Sequence, residues 1–262
     1  AVLVTGKGAA TPDAAAAIAQ YAPKDALVVS FQNGIGNDQV LKNALEQTVL
    51  AGMVPFNVAY QDNGLFHCGT EGLLSVEEGD DRQSQLSAAL EKAGLPTEVH
   101  ADMVPVQWGK LLLNLNNPIN ALSGEPLKAQ LENGGYRKVV AACLKEALTL
   151  LKRAGIKPKR TGKAIPSLLP WIMALPDPIF KRVAQSMLKV DPKATSSMAD
   201  DLQRGRTTEI DFINGEVVRL AESLGLDAPV NRAVVAEVKR AEQAASGSPA
   251  LSASALQAKV LS

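Results

Sequence analysis

An α/β domain followed by an all-helical domain is the architecture this sequence predicts, on three observations. In the first hundred residues, short and continuously apolar segments alternate with helical patterns, as in a parallel sheet covered on both faces. From Met103 onward no strand pattern survives, and apolar residues recur at helical spacing. At 262 residues, the chain exceeds one small core and suits two domains. The expected boundaries are 1–102 for the α/β part, 103–245 for the helical part, and 246–262 for a mobile tail rich in Ser, Gly, Ala and Pro.

The elements follow in order. Ala1-Val2-Leu3-Val4-Thr5 reads as a strand broken by Gly6-Lys7-Gly8. Thr11 is expected to cap a helix over 13–21, with Pro12 at its first position. A strand over 26–31 ends in Gln32-Asn33-Gly34-Ile35-Gly36-Asn37, a helix covers 38–46, and a third apolar strand covers 48–54. Three such strands make half of a doubly wound sheet. The glycine-rich phosphate loop that opens the other half is not in these residues, so the pattern predicts roughly 60–80 further residues upstream. Asn63-Gly64 signals a turn, and 65–70 and 72–76 read as short antiparallel strands. A helix over 81–93 and a strand over 97–101 complete the first part. Helices are then expected over 104–122, 136–154, 179–187, 209–224 and 230–245.

Composition excludes several functions. The 27 basic and 27 acidic residues cancel, leaving no global field toward nucleic acid or anionic lipid. Aromatic residues make up 4%, too few for base-stacking platforms. The longest apolar runs, such as Leu111-Leu112-Leu113, fall far short of a membrane span, and the first residues lack the basic-then-apolar pattern of a secretory signal. Cys68 and Cys143 stand outside any paired motif, which argues against a disulfide framework and fits a reducing cytoplasm. With only His67 and His100 besides, no metal site is expected.

The most informative stretch is Trp108-Gly109-Lys110-Leu111-Leu112-Leu113-Asn114-Leu115-Asn116-Asn117-Pro118. On a helix, Lys110, Asn114 and Asn117 fall within about 60° of one another, while Leu111, Leu112 and Leu115 cover other faces. Buried lysine and asparagine cost free energy unless something satisfies them. The plainer alternative is a lysine reaching out to solvent, with two asparagines capping a kink at Pro118. A second polar cluster runs through Ser196-Ser197-Met198-Ala199-Asp200-Asp201 and Thr207-Thr208-Glu209-Ile210-Asp211-Phe212-Ile213-Asn214-Gly215. Here too a structural role is open: Thr207 or Thr208 can cap a helix, with Glu209 and Asp211 in its first turn. Ser196 and Ser197 can be cap or turn residues.

Taken together, Lys110 with Asn114, the Ser-Ser-Met-x-x-Asp run and the Thr208–Gly215 segment resemble the signature segments of ketopantoate reductases. Lys7 and the Gln32–Gly36 loop resemble that family's cofactor-side elements in the same order, and the likeness extends from residue 1 to about residue 240. The resemblance implies part of a Rossmann domain, then a helical domain like that of 6-phosphogluconate dehydrogenase. It implies NADPH-dependent reduction of 2-dehydropantoate to pantoate, a step toward pantothenate and coenzyme A, by a monomer or homodimer. Hydride delivery to a ketone leaves negative charge on its oxygen, which needs a proton donor. A lysine, ordinarily protonated at neutral pH, supplies proton and charge, and Lys110 is the candidate. By resemblance, Asn114 and Asn117 hold substrate hydroxyl or carboxylate groups, Ser197 donates to the carboxylate, and Glu209 meets cofactor or substrate. Asn33 would touch nicotinamide and substrate together, Lys7 the cofactor's ribose or phosphate, and Val58 would supply a main-chain cofactor contact.

Two departures bear on the substrate. The family's second asparagine stands eight residues after the lysine, whereas Asn117 comes one residue early, which rotates that amide by about 100°. Asn116 and Asn120 are the available substitutes, and Ala194 stands where an asparagine is usual. Other readings remain: a paralogous reductase of another 2-oxo acid, a hydroxyacid dehydrogenase of the 6-phosphogluconate dehydrogenase type, or a helical interaction module beside a vestigial α/β part.

Overall fold

The computed structural model describes the chain except residues 57, 62, 63, 69–71, 163, 186, 187, 189 and 190, and gives only the backbone of 59–61, 67 and 68. It divides into two compact units. The first runs from Ala1 to Lys110 and takes in a return segment that starts at Pro158; the second comprises Leu111–Lys157 and Ala164–Ser262. The division thus falls at Lys110 rather than at residue 102.

The first unit has strands β1 (Val2–Val4), β2 (Val28–Ser30), β3 (Val49–Met53), β4 (Val58–Gln61), β5 (Leu65–Cys68), β6 (Leu74–Glu77) and β7 (Thr97–His100). Its main sheet has the order β1-β2-β3-β6-β7. Strands β1, β2 and β3 run parallel, β6 is antiparallel to β3, and β7 is parallel to β6. Both faces of the sheet are covered, as the continuous apolar strands require. On one face Val4, Val28 and Val49 pack with Ala15, Ile18 and Leu41. On the other, Val29, Phe31, Leu50, Leu74 and Val76 pack with Leu86 and Leu90.

The segments over 65–70 and 72–76 do not form a hairpin with each other. β6 joins β3, because Leu74 and Val76 belong to the main core. β5 pairs with β4, which the sequence pattern missed: β4 follows Pro55 without an apolar run, and Val58, Leu65 and Phe66 are exposed. Asn63 of the expected turn lies outside the described residues, as do the side chains of His67 and Cys68.

The helices of this unit are α1 (Thr11–Tyr21), α2 (Asn37–Ala44), α3 (Asp81–Lys92) and most of α4 (Val104–Asn114). Thr11 does not cap α1. Ala10 holds the cap position, and the buried Thr11 hydroxyl instead lies 2.7 Å from the Gly8 carbonyl and 3.0 Å from Asn37 Oδ1.

The second unit continues with α5 (Asn117–Ser123), α6 (Leu127–Glu132), α7 (Gly134–Arg153), α8 (Leu169–Met173), α9 (Asp177–Val183), α10 (Ser197–Gln203), α11 (Asn214–Ser223), α12 (Pro229–Ala244) and α13 (Ala253–Val260). The expected helix over 104–122 is broken: α4 ends at Asn114, four residues before Pro118. A proline lacks the N–H for that bond, and its ring clashes with the carbonyl four residues back. The expected helix over 209–224 is a single 3-10 turn at Ile210–Phe212, and α11 begins only at Asn214. Thr208 is fastened by its N–H and hydroxyl to Glu242 Oε1, both at 2.7 Å, which holds this end out of helical line. The expected helix over 179–187 starts at Asp177 and ends at Val183.

The tail over 246–262 is not loose. Ser252 caps α13 by accepting from the Ala255 N–H, and Leu256 and Val260 are buried. Tyr136 Oη donates to the Leu251 carbonyl at 2.8 Å, and Gln257 Nε2 to the Gly135 carbonyl at 3.1 Å. Composition misled here because two apolar side chains four apart suffice to dock a two-turn helix.

Arg137 is fully buried in α7. Its guanidinium donates to the carbonyls of Leu131, Met173 and Leu175 and to Asp177 Oδ1, and it stacks 4.1 Å from the Phe180 ring centroid. That set of acceptors satisfies a charge that burial otherwise makes costly. Cys143 is free and buried, and burial pushes its thiol well above the ordinary range.

Candidate active site

The carboxyl edge of the parallel strands gathers the polar groups of the first unit. β1 ends at Val4 and leads to Lys7, which is exposed and in extended backbone (φ −66°, ψ 147°). β2 ends at Ser30 and leads through Gln32 to Asn33, half-buried in a loop whose Gly34 and Gly36 adopt φ of 90° and 83°. Only glycine takes that left-handed turn at no cost.

Beneath this loop lies a buried polar network. The Gln32 amide nitrogen donates to Thr11 Oγ1 at 2.9 Å, Gly6 O at 3.1 Å and Lys7 O at 3.3 Å. Gln32 Oε1 accepts from Ser30 Oγ, and Asn37 Nδ2 donates to the Asn33 carbonyl at 2.9 Å. The ends of β1 and β2 are thereby tied to each other and to the start of α2, which fixes the backbone of Asn33. Buried amides are held this way because an unmade hydrogen bond costs about 1–3 kcal/mol.

Lys110 comes to this edge from α4. Its ammonium donates to Asn33 Oδ1 at 2.6 Å and to the Val54 carbonyl at 2.5 Å. The structure therefore brings together two residues 77 positions apart, Lys110 and Asn33. Lys110 does not reach out to bulk solvent; it is half-buried. Val54 was not foreseen, since its contribution is a main-chain carbonyl with no side-chain signal.

The turn before Lys110 is shaped by the return segment. The Lys159 N–H donates to the Pro105 carbonyl at 2.7 Å, and the Lys159 carbonyl lies against Gly109. A methyl group added at Gly109 would collide with that oxygen and come within 3.1 Å of the Lys159 carbonyl carbon and of Thr161 Oγ1. Lys159 Nζ is held by His100 Nδ1 at 3.0 Å and Glu98 Oε1 at 3.3 Å. An ammonium can only donate, so His100 Nδ1 accepts and the imidazole is neutral. Burial, with the Lys159 charge, lowers the His100 pKa against the opposing pull of Glu98.

Val58 lies exposed on the β4–β5 hairpin, paired with Cys68, and not on the main sheet.

In the second unit, Asn114 is the last residue of α4 and Asn117 the first of α5, both half-buried. Helices α5 and α10 are stitched together: Ser196 Oγ donates to the Asn117 carbonyl at 3.1 Å, and the Ser196 N–H to Asn120 Oδ1 at 2.8 Å. Asn120 Nδ2 donates to the Glu125 carbonyl at 2.8 Å. Ser196, not Ser197, is the cap of α10, which leaves Ser197 exposed at the helix start. Asn116 Oδ1 is buried, with no hydrogen-bond partner among the described residues. Glu209 is half-buried just before the 3-10 turn. Asp211 serves structure: its carboxylate pairs with Lys239 at 2.6 Å and its carbonyl accepts from Arg219.

Lys7 and Asn33 follow the carboxyl ends of adjacent parallel strands, the edge at which doubly wound sheets hold dinucleotides. A cation and an amide there suit a ribose or phosphate oxygen and a nicotinamide carboxamide. Among the described residues, no helix is long and apolar enough to cross a membrane.

Comparison with known proteins bears on the family and the fold. Residues 1–81 match the family model "Ketopantoate reductase PanE/ApbA", and residues 102–242 match "Ketopantoate reductase PanE/ApbA C terminal". A 2-dehydropantoate 2-reductase of Archaeoglobus fulgidus is 29% identical over 221 residues, which cover 82% of this chain and 68% of the relative. The crystal structure of a ketopantoate reductase from Ralstonia eutropha JMP134 superposes with a TM-score of 0.76 at 30% identity, over 93% of this chain and 76% of that one. The fold is also that of a D-mandelate dehydrogenase solved with NADH and anilino(oxo)acetate, with a TM-score of 0.73 at 19% identity over 93% of this chain and 76% of that one. With both family models matched in order along the chain, and with the lysine-bearing helix inside the second of them, this chain belongs to the ketopantoate reductase family.

Proposed function

We propose that the protein reduces the ketone of a 2-oxo acid, 2-dehydropantoate foremost, with NADPH as the hydride donor and Lys110 as the proton donor. The observation that carries this reading is the fixed Lys110 ammonium, bound to Asn33 Oδ1 and the Val54 carbonyl at the strand edge. The dinucleotide, when bound, supplies a hydride to the carbonyl carbon. The electron pair displaced onto the carbonyl oxygen then takes a proton from Lys110 Nζ. The charge that a lysine ordinarily carries at neutral pH would stabilise the developing oxyanion in a partly dehydrated setting. Asn33, held by the Gln32–Thr11–Asn37 network, orients the lysine and is placed to touch both nicotinamide and substrate. Lys7 would meet the cofactor's ribose or phosphate, with Val58 and Glu209 as further cofactor contacts. Asn114, Asn117 and Ser197 are assigned to the substrate's hydroxyl and carboxylate. A cytoplasmic homodimer completes the reading; the free, buried Cys143 suits a compartment that keeps thiols reduced.

A second reading, a paralogue acting on another 2-oxo acid, is favoured by one observation. Asn120, a candidate to replace the shifted amide of Asn117, is spent on Ser196 and Glu125. The remaining candidate is Asn116.

The test is kinetic, on the full-length protein. Lys110→Ala should lower kcat by at least about a hundredfold, a loss typical of removing a general acid, and leave NADPH affinity nearly unchanged. An equal loss of cofactor binding would overturn the proton-donor role. Comparing kcat/KM for 2-dehydropantoate and 2-oxoisovalerate separates the readings: a preference above about a thousandfold for the former supports 2-dehydropantoate, and a weak preference supports the paralogue.

A further inference from the structure

Lys159 belongs to none of the motifs read from the sequence and stands far from Lys110, yet its main chain shapes the turn that precedes Lys110. It lies in the return segment of the first unit. Its N–H donates to the Pro105 carbonyl in the first turn of α4 at 2.7 Å, and its carbonyl oxygen lies so close to Gly109 that no Cβ fits there. A glycine inside a helix weakens it; at Gly109 the approach of another backbone requires one. The side chain of the same residue reaches the edge strand β7, where Nζ lies 3.0 Å from His100 Nδ1 and 3.3 Å from Glu98 Oε1. An exposed lysine–carboxylate pair alone is worth little. Here a buried imidazole completes the clamp, and one residue ties the sheet to the helix.

The charged groups around His100 decide what the clamp requires. Because the Lys159 ammonium only donates, Nδ1 is unprotonated and the ring proton sits on Nε2, which faces Ser75 Oγ and Glu98 Oε2, each at 3.3 Å. Glu77, the register partner of His100 on β6, is taken by Lys42 and the Ala51 N–H. Glu78 meets His100 through its N–H, which donates to the His100 carbonyl. Asp102 accepts from the Val104 N–H at the start of α4, and Arg160 Nε donates to the Gly162 carbonyl. Glu98 is thus the carboxylate that serves both Lys159 and His100. A proton on Nδ1 removes the acceptor and sets two cations 3.0 Å apart beside that carboxylate.

We propose that Lys159 is a positioning residue for Lys110. Clamped by Glu98 and a neutral His100, it holds its own carbonyl against Gly109 and so fixes the turn from which Lys110 reaches Asn33 and the Val54 carbonyl. Protonation of His100 releases it. This role rests on Lys110 as the proton donor of the reaction proposed above, for which a displacement of about 1 Å costs on the order of a hundredfold in rate.

Lys159→Met, which keeps the stem and loses the ammonium, tests this in the full-length protein. With 2-dehydropantoate and NADPH, its kcat should fall about tenfold at pH 7.5, with KM for NADPH within about twofold of the wild type. Between pH 7.5 and pH 5, across the ordinary imidazole value of about 6.5, the gap to the wild type should narrow by about twofold or more, because acid releases the clamp in the wild type as well. In a His100→Gln background, where the amide oxygen accepts at every pH, the loss caused by Lys159→Met should be the same at both. The His100 ring resonance, identified by its absence from His100→Gln, should titrate at higher pH in Lys159→Met than in the wild type, a readout that needs no turnover. If Lys159→Met does not fold, His100→Gln alone decides: its kcat relative to the wild type should rise by about twofold or more from pH 7.5 to pH 5, and no rise refutes the clamp. A Lys159→Met protein with the wild-type kcat, a gap equal at both pH values, or a cofactor KM that rises as far as kcat falls would overturn the positioning role. A wild type that binds NADPH but reduces neither 2-dehydropantoate nor 2-oxoisovalerate would instead overturn the reaction on which that role rests, with the His100 titration still reporting the clamp.

Discussion

Gly109→Ala sets two opposing effects against each other in the turn that precedes Lys110. Alanine is the better helix former by about 1 kcal/mol, so in an open helix this change would stabilise the protein. Here the new methyl group would overlap the Lys159 carbonyl oxygen and crowd its carbon and Thr161 Oγ1 at 3.1 Å. Relief needs the return segment or α4 to move by more than an ångström. The segment is not free to slide, because the Lys159 N–H is bonded to Pro105 and its ammonium to His100 and Glu98. Overpacking of this kind costs about 1–3 kcal/mol. The net effect is a loss of about 0–2 kcal/mol, a fall in Tm of at most about 8 °C at 2–4 °C per kcal/mol. Activity should fall further than stability does. A shift of about 1 Å in Lys110 relative to Asn33 is enough to cost on the order of a hundredfold in kcat. The assay is thermal denaturation alongside steady-state reduction of 2-dehydropantoate by NADPH, with KM for NADPH as the control. An alanine variant about 1 kcal/mol more stable than the wild type, with kcat unchanged, would show that propensity wins and that the segment does not brace the helix.

Other outcomes follow from the same structure. Arg137→Met removes a buried guanidinium and strands three carbonyls, so urea unfolding should show a loss of at least about 3 kcal/mol at about 1–3 kcal/mol for each unsatisfied group; a loss below about 1 kcal/mol would mean that water replaces the arginine. Leu256→Ala should cost about 2–5 kcal/mol, since the side chain is fully buried; no change would return the tail to a mobile segment. His100 has a lowered pKa in the folded protein, so the unfolded chain takes up its proton first as pH falls. Its effect on stability is absent above the ordinary imidazole pKa of about 6.5 and grows as pH drops below it. The urea midpoint of the wild type should therefore fall more steeply from pH 7.5 to pH 5 than that of His100→Gln; equal slopes would contradict the neutral, buried imidazole.

The sequence by itself determined the fold class and most of the order of the elements, and it marked the residues to which the chemistry is assigned. Continuous apolar runs over Val28–Ser30 and Val49–Met53 can be satisfied only inside a sheet covered on both sides, and the structure has that sheet. Lys110 stood out because a lysine on an otherwise apolar helix needs a partner, and Asn33 because it follows a strand in a glycine-rich turn. Tertiary structure alone decided what those residues touch. That Lys110 meets Asn33 and the Val54 carbonyl depends on chain separated by 77 and 56 positions, and a main-chain acceptor leaves no mark in the sequence. The same holds for Gly109, whose glycine is explained by a carbonyl fifty residues away, and for the tail, which two buried apolar side chains turn into a docked helix. Periodicity reports which face of an element is apolar; which distant segment covers it, or presses on it, is decided only when the chain has closed on itself.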